Sequence, residues 1–308
     1  MSAAAPLRFS VSLPSFGPFF RKDELHRVVD LARMAEANGI DSVNVPDHVV
    51  MGPNTQAYRW GRFPFPEPGT PWLEPLTLIA AMSAVTTRLR FLTWILIVPL
   101  RTPAVLAKTT ATLDVLSRGR LDLGVGIGWQ REEFDAAAVP FESRGKRMEE
   151  ILAACRALWS REPADFSSDT VSFERIDCSP KPVQPGGIPI WFSGTLTERT
   201  LDRIARLGDG WIPIMGESVE GIADGVARLR ERFKAAGRDA SQLRAAGAAD
   251  PVRGEDGKPS LARSLEAIPR LREAGVDLVH VSLLAFCRSP EGAPAFFREL
   301  GRRLEDYR

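Results

Sequence analysis

The sequence predicts an α/β protein, a (β/α)8 TIM barrel with insertions after strand 2 and between strands 4 and 5. Eight short apolar segments typical of strands alternate with segments whose apolar residues recur at the helical period. The length of 308 residues suits eight such units closed into one barrel. We expect residues 1–308 to form a single domain. An open doubly wound sheet is the alternative.

The predicted strands are apolar runs that end at Gly, Pro, Ser or Asp. In chain order the strand segments are Arg8–Leu13, Ile40–Val45, Leu89–Pro99, Ser117–Trp129, Ile188–Phe192, Gly210–Ile214, Leu243–Ala249 and Asp277–Leu284. Helical patterns separate them, including Leu73–Val85 and Arg144–Trp159. Pro269 lies inside the helical pattern Ala262–Ala274, so we expect that helix to bend or break there.

Both insertions lack the period of a long helix. Gly52–Pro71 is rich in Pro, Gly and aromatic residues, and an irregular loop of about 20 residues is often a functional lid. Its aromatic residues indicate an apolar substrate; they are Tyr58, Trp60, Phe63 and Phe65. In the second insertion, Asp165–Pro185, we expect a hairpin built on Thr170–Phe173.

Composition excludes several classes of partner. The 40 basic and 39 acidic residues give a net charge of +1, which provides no overall basic field for nucleic acid. The three cysteines show no metal-ligand spacing, and no apolar run is long enough to span a membrane. The amino terminus lacks the pattern of a signal peptide. We therefore expect a cytoplasmic protein that acts on a small-molecule substrate and has no metal site.

The barrel prediction directs attention to the carboxyl ends of the strands, where such folds place their active sites. His48 follows the second strand directly after Asp47. An imidazole in this position can act as a general acid or base near neutral pH, although a structural histidine is equally compatible with the pattern. Asp47 either fixes the tautomer of His48 or caps the next turn.

Two further strand ends could bind a ligand. Gly124-x-Gly126-x-Gly128 lacks the spacing of a dinucleotide-binding motif, so the glycines either leave room for a ligand or serve a tight turn. Ser193, Gly194 and Thr195 precede a predicted helix, where they form either an anion site or an ordinary N-cap. The aromatic residues Trp129 and Trp191 could flank a planar ring or fill the core.

The sequence resembles the bacterial luciferase-like superfamily of barrel oxidoreductases, within it the branch that depends on the deazaflavin coenzyme F-420. The resemblance spans nearly the whole chain and includes one long ordered block. The matching features are Asp47-His48, Leu96–Pro103, Ala107-Lys108, Thr112–Trp129, Glu132–Phe134, Arg144-Gly145 with Arg147 and Glu149, and Gly208–Trp211.

The resemblance implies a role for each candidate position. His48 would lie near the cofactor ring and the substrate. A bulge in the third strand, with a non-prolyl cis peptide at Trp94-Ile95, would back the ring. The resemblance also implies that Gly126 and Gly128, at the end of the fourth strand, would let the cofactor ring lie against that strand. After the fifth strand, the residues that would hold the phosphate are Ser193, Gly194 and Thr195.

Two departures from the family's sugar-phosphate dehydrogenases bear on the substrate. Trp129 stands where those enzymes have a glutamate proton donor, and Glu217 lies near the position of their substrate-phosphate lysine. Both changes count against a sugar phosphate. His48 then remains the first candidate for the catalytic acid and Glu133 the second, while Trp129 would stack on the cofactor or wall the substrate pocket.

The expected function is hydride transfer between bound coenzyme F-420 and an organic substrate. The alternative is an FMN-dependent monooxygenase of the same superfamily, which would receive reduced flavin from a partner reductase. A barrel that acts only as a binding protein is an alternative of another class, because a fold does not determine a function. By analogy with the family we expect a homodimer.

Overall fold

Eight parallel strands close into a ring in the computed structural model, which describes residues 6–60, 67 and 69–308. In chain order they are β1 (Arg8–Ser12), β2 (Ser42–Val45), β3 (Arg90–Thr93), β4 (Leu121–Gly126), β5 (Ile190–Ser193), β6 (Gly210–Ile212), β7 (Arg244–Ala248) and β8 (Leu278–Ser282). The spatial order β3-β2-β1-β8-β7-β6-β5-β4 is closed by pairing between β3 and β4. The predicted barrel is therefore confirmed, and the open sheet is wrong.

The register of the strands places the first and last barrel strands side by side. Val11 of β1 pairs with Val281 of β8 on one side and with Val43 of β2 on the other. Closure is made where Phe91 of β3 pairs with Leu121 of β4. Beyond a bulge after β3, the short segment Leu96–Ile97 pairs with the end of β4. The third strand is thus interrupted before its carboxyl end.

Helices connect the strands and cover the outside of the barrel. They are α1 (Val28–Ala37), α2 (Pro75–Ser83), α3 (Pro103–Ser117), α4 (Arg131–Ala136), α5 (Arg144–Ser160), α6 (Glu198–Leu207), α7 (Val219–Ala235), α8 (Leu261–Leu265), α9 (Ile268–Glu273), α10 (Leu283–Phe286) and α11 (Ala293–Leu304). Pro269 lies in the first turn of α9 and separates it from α8, so the predicted interruption is confirmed. Within the described ranges, no helix is long and apolar enough to cross a membrane.

The apolar core has two layers because each parallel strand is buried on both faces. The larger layer packs between strands and helices and contains outward-facing residues such as Val279 and Val281, both fully buried. The smaller cluster lies inside the barrel; it consists of Leu92, Trp191, Ile212, Ala246 and Leu278. Burial of each large apolar side chain contributes about 1.5–3 kcal/mol, so this packing fixes the positions of the strand ends.

Both predicted insertions are present. Residues 46–74 separate β2 from α2, and Gly52–Pro71, the predicted lid, is described except for 61–66 and 68. Phe63 and Phe65 lie outside the described residues. Between α5 and β5, strands Ala164–Ser167 and Ser172–Ile176 form the antiparallel hairpin that the sequence predicted.

Candidate functional site

The carboxyl ends of β2, β3, β4 and β5 carry the predicted site residues. Parallel strands place all these ends at one rim of the barrel. The structure brings His48 after β2 into direct contact with Trp129 after β4, because the indole Nε1 donates to the His48 Nε2 at 3.3 Å. His48 is only 8% exposed, so its imidazole is largely shielded from water.

Hydrogen bonds define the tautomer of His48. An indole N–H can only donate, so the bond from Trp129 requires Nε2 to be an acceptor. The proton then lies on Nδ1, which donates to Oε2 of Glu133 at 3.0 Å. The nitrogen nearer to Trp129 is therefore the one that can accept a proton from a ligand.

Glu133 is completely buried in the first turn of α4. Its Oε2 accepts from His48, and its Oε1 accepts from the backbone N–H of Val49 at 2.7 Å. Both oxygens are thus engaged by the segment after β2, and the carboxylate cannot turn without losing one of the two bonds. Glu133, ranked second for the catalytic acid from the sequence, is the residue that orients His48.

Asp47 does not orient His48, which corrects one of the two readings of the sequence. Its Oδ2 accepts from the Ile97 amide at 2.8 Å and from Arg101 at 2.6 Å, and its Oδ1 accepts from Arg101 at 3.1 Å. The carboxylate points to the bulge after β3 because a bidentate guanidinium and a buried amide offer it three donors. Asp47 therefore stabilises the bulge next to His48.

Arg101 joins this bulge to the start of α2. Its Nη2 also donates to Oε1 of Glu74 at 3.0 Å, and Glu74 caps α2 by accepting from the Thr77 amide. Burial lowers the pKa of Arg101, but the charge of Asp47 and the hydrogen bonds to Asp47 and Glu74 outweigh it, so the pKa is raised. The guanidinium consequently stays charged and holds both carboxylates.

The non-prolyl cis peptide predicted at Trp94-Ile95 is present. The Trp94 ring stacks on His280, with centroids 4.9 Å apart and planes at 27°. His280 Nδ1 accepts from the Asn44 side-chain amide at 3.1 Å, so its proton lies on Nε2. Desolvation lowers the pKa of His280 to about 4, which keeps this ring neutral at neutral pH. His280 thus supports Trp94 as a packing partner.

The glycines at the end of β4 make room for the bulge. A Cβ on Gly126 would lie 2.7 Å from Cγ2 of Ile95, and a Cβ on Gly128 would lie 2.8 Å from Cγ2 of Ile97. Gly128 also has a φ of +74°, a conformation that favours glycine. The space without side chains is therefore filled by Ile95 and Ile97, which these glycines position.

The loop after β5 precedes the helix and does not cap it. Helix α6 begins at Glu198, and its N-cap is Thr197, whose hydroxyl accepts from the Thr200 amide at 3.2 Å. The N-cap reading of Ser193, Gly194 and Thr195 is therefore wrong. The Gly194 carbonyl accepts from the Trp211 indole at 2.9 Å, while a Cβ on Gly194 would meet nothing within 4 Å. The loop is anchored on one side and open on the other.

A row of aromatic rings extends from both sides of His48. Trp72 packs edge-on against His48 at 4.8 Å and stacks on Phe16 at 4.4 Å. On the other side, Tyr58 packs against Trp129 at 5.3 Å. Each of these flanking rings is partly exposed, so apolar surface borders the imidazole on both sides.

Trp191 does not belong to this row, contrary to one reading of the sequence. It is 1% exposed and lies in the interior cluster of the barrel, where Arg8 sits over its ring at 5.9 Å. A cavity of about 280 Å³ at that end is lined by both residues, and Arg8 begins β1, so this cavity lies at the amino ends of the strands. In the part of the chain that the structure describes, no group of three or more His, Cys, Asp or Glu residues is placed to hold a metal ion.

Two of the sequence relatives depend on different cofactors, and a third is uncharacterised. The chain is 37% identical over 211 residues to an uncharacterised protein of Mycobacterium tuberculosis, covering 68% of this chain and 74% of that protein. It is 32% identical over 225 residues to the F420-dependent glucose-6-phosphate dehydrogenase of Nocardia farcinica, covering 71% of this chain and 60% of that enzyme. It is 33% identical over 165 residues to the FMNH2-dependent dimethylsulfone monooxygenase of Pseudomonas fluorescens, covering 53% and 44%.

Solved structures share the fold at low identity. The monooxygenase RslO1 of Streptomyces bottropensis superimposes with a TM-score of 0.75 at 20% identity, covering 97% of this chain and 99% of that one. An F420-dependent secondary alcohol dehydrogenase superimposes with a TM-score of 0.74 at 18% identity, covering 96% of this chain and 98% of that one.

The model of the luciferase-like monooxygenase family matches residues 7–277. This chain therefore belongs to the luciferase-like monooxygenase family.

Proposed function

We propose that this protein transfers hydride between bound coenzyme F-420 and an organic substrate. The observation that carries the proposal is the relay in which Glu133 fixes His48 and leaves its Nε2 facing Trp129 at the rim of the barrel. Such a group can exchange a proton with a substrate whose charge changes on hydride transfer. The longer match to an F420-dependent relative than to an FMNH2-dependent one supports the choice of cofactor.

The residues at the rim fit a ring cofactor that carries a phosphate. The open space beside Gly194 leaves its loop accessible to a phosphate, and the hydroxyls of Ser193 and Thr195 can donate hydrogen bonds to such an anion. Ser15, after β1, also has a buried hydroxyl for which the structure shows no protein partner. We assign the phosphate to Ser193, Gly194 and Thr195, and the ring to the bulge Trp94-Ile95 that Gly126 and Gly128 position.

The protein's own groups would bind, orient and exclude water. When bound, the deazaflavin supplies the hydride-transfer chemistry. His48 would hold or accept the proton at Nε2, and Glu133 would keep the ring in the required orientation. Trp129 occupies that nitrogen in this structure, so its indole would turn aside when a substrate enters. The aromatic row would then cover the substrate and keep water away from the imidazole.

The second candidate is an FMN-dependent monooxygenase supplied by a partner reductase. The FMNH2-dependent relative favours it, and the loop at Gly194 would suit the phosphate of either cofactor. For both candidates we propose a homodimer.

Titration of the purified protein with F-420 and, separately, with FMN tests the proposal through the fluorescence of each cofactor. We expect micromolar binding of F-420 that weakens at least tenfold in Ser193→Asp, because a carboxylate would face the phosphate. Ser172→Asp places the same charge in an exposed hairpin strand and should leave binding unchanged. Tight FMN binding without F-420 binding would favour the second candidate, and binding of neither would contradict both.

A further inference from the structure

Three arginines, which we call the arginine rim, gather at the outer edge of the site: Arg59, Arg131 and Arg144. The guanidinium carbons of Arg131 and Arg144 lie 4.6 and 3.8 Å from the centre of one aromatic ring, Phe141. Phe141 in turn packs edge-on against Phe134 of α4 at 5.2 Å. The two like charges are thus held together on one half-buried ring, which packs on the buried Phe134.

The rim adjoins the aromatic row that leads to His48. Arg144 Nε donates to the Gly128 carbonyl at 3.3 Å, one residue before Trp129, and its Nη1 donates to the Phe141 carbonyl at 2.9 Å. Arg59 directly follows Tyr58, whose ring packs against Trp129. Cations therefore border the side of the site where Trp129 and Tyr58 meet.

The charge of the rim is not balanced. Within residues 6–60, 67 and 69–308, its salt bridge is the one between Arg131 and Glu142 at 2.7 Å, and the Glu142 side chain is 73% exposed. Burial, Arg131 and Arg59 together lower the pKa of Arg144, as expected where guanidinium groups repel one another. An anion would relieve this repulsion, and planar guanidinium groups suit a carboxylate.

We propose that the arginine rim binds the carboxylate of the substrate, while a planar apolar body lies along Tyr58, Trp129 and Trp72 towards His48. The substrate class is then an aromatic carboxylic acid. This inference rests on the proposed function, because it assumes that the substrate reaches His48. The phosphate of the cofactor is assigned to the loop after β5, on a different strand end, so the two anionic groups would occupy separate places.

Equilibrium binding of 2-naphthoate and 2-naphthamide tests the rim with two probes that differ mainly in charge. We expect naphthoate to bind at least about tenfold more tightly at low salt, since hydrogen bonds to a charged group are the stronger ones. The preference should shrink as ionic strength rises. Binding is followed calorimetrically with the protein alone and with saturating cofactor.

Variants of the arginine rim test whether its charges cause the preference for naphthoate over naphthamide. In Arg59→Gln/Arg131→Gln, which keeps Arg144 and its backbone contacts, we expect the preference for naphthoate to fall at least about threefold, because only one of the three cations remains. Arg298→Gln removes an exposed arginine from α11 and should keep the preference. Equal affinity for the wild type, including no measurable binding of either probe, would overturn the proposal, as would a preference that is undiminished in the double variant.

The cofactor titration separates this inference from the proposed function. If the double variant weakens F-420 binding but keeps the preference for naphthoate, the rim serves the cofactor and our assignment is wrong. If neither cofactor binds the wild type but naphthoate is preferred through the rim, the site for the acid stands and the proposed hydride transfer fails.

Discussion

Nδ1 of His48 lies 3.0 Å from Oε2 of Glu133, although 85 residues separate the two along the chain. The bond joins the end of β2 to the first turn of α4, and the second oxygen of Glu133 strengthens the same junction through the Val49 amide. A single buried carboxylate therefore determines both the ring orientation and the path of the chain around it.

Glu133→Gln should disturb this junction. A glutamine offers one acceptor oxygen for the two donors, so its NH2 would face either His48 or Val49. We expect the free energy of unfolding to fall by about 1–3 kcal/mol, the cost of an unsatisfied buried donor, measured by urea denaturation. In nitrogen NMR spectra the His48 tautomer should become mixed. Asp135→Asn, at an exposed position of α4, is the control, and unchanged His48 signals would contradict the assignment.

Asp47→Ala should destabilise the barrel rather than only reduce activity. The change leaves Arg101 partly unpaired and the Ile97 amide without its acceptor, and breaking a buried ion pair costs about 3–5 kcal/mol. The free energy of unfolding by urea measures the loss. Asp169→Ala removes one acidic partner of Lys146 in an exposed pair and should cost less than about 1 kcal/mol. Similar losses in both variants would contradict the role of Asp47 in holding Arg101 and the bulge.

His280 should make stability depend on pH. Its pKa is lowered from 6.5 to about 4, so between these values the unfolded chain binds a proton that the folded chain does not. The stability that the neutral ring of His280 provides is fully present above pH 6.5. Below that value the free energy of unfolding falls by about 1.4 kcal/mol for each pH unit. Urea denaturation at pH 7.5, 6 and 5 should show a flatter profile for His280→Gln than for the wild type. Parallel profiles would show that His280 protonates freely.

Gly126→Ala should be destabilising because its Cβ would lie 2.7 Å from Ile95. We expect a loss of about 1–3 kcal/mol from overpacking. Ile95→Ala removes the clashing methyl group, so the double variant should lose less than the two single variants added together. A double-mutant cycle by chemical denaturation measures this coupling. Additive losses would show that the glycine does not serve the bulge.

The sequence revealed those features that depend on local periodicity or local chemistry. The break at Pro269 follows from the missing amide hydrogen and the fixed φ of proline. The apolar segments of β1 and β8 likewise indicated strands that are buried on both faces. The cis peptide at Trp94-Ile95 followed from the family resemblance alone. No spacing in the chain would have predicted it.

The contacts within the site were less accessible to sequence reasoning. From the sequence, Glu132 and Glu133 are both interpreted as acids that the helix dipole favours. Only the fold shows that Glu133 is buried and faces His48. Asp47 adjoins His48 in the chain, yet its carboxylate turns to Arg101. Adjacent positions in the sequence show which residues lie at the same strand end. The direction of each carboxylate, however, depends on hydrogen-bond donors from distant segments of the chain.

One guanidinium holds both stems of the long segment between β2 and α2, since Arg101 binds Asp47 at its start and Glu74 at its end. The ends therefore stay fixed whatever lies between them, and doubling the length of a flexible loop costs only about 0.6 kcal/mol. Insertions and deletions between these ends are accordingly expected to cost little stability. Changes between residues 50 and 73, with Tyr58 and Arg59 among them, would therefore alter the aromatic row beside His48 while the strand ends keep their positions.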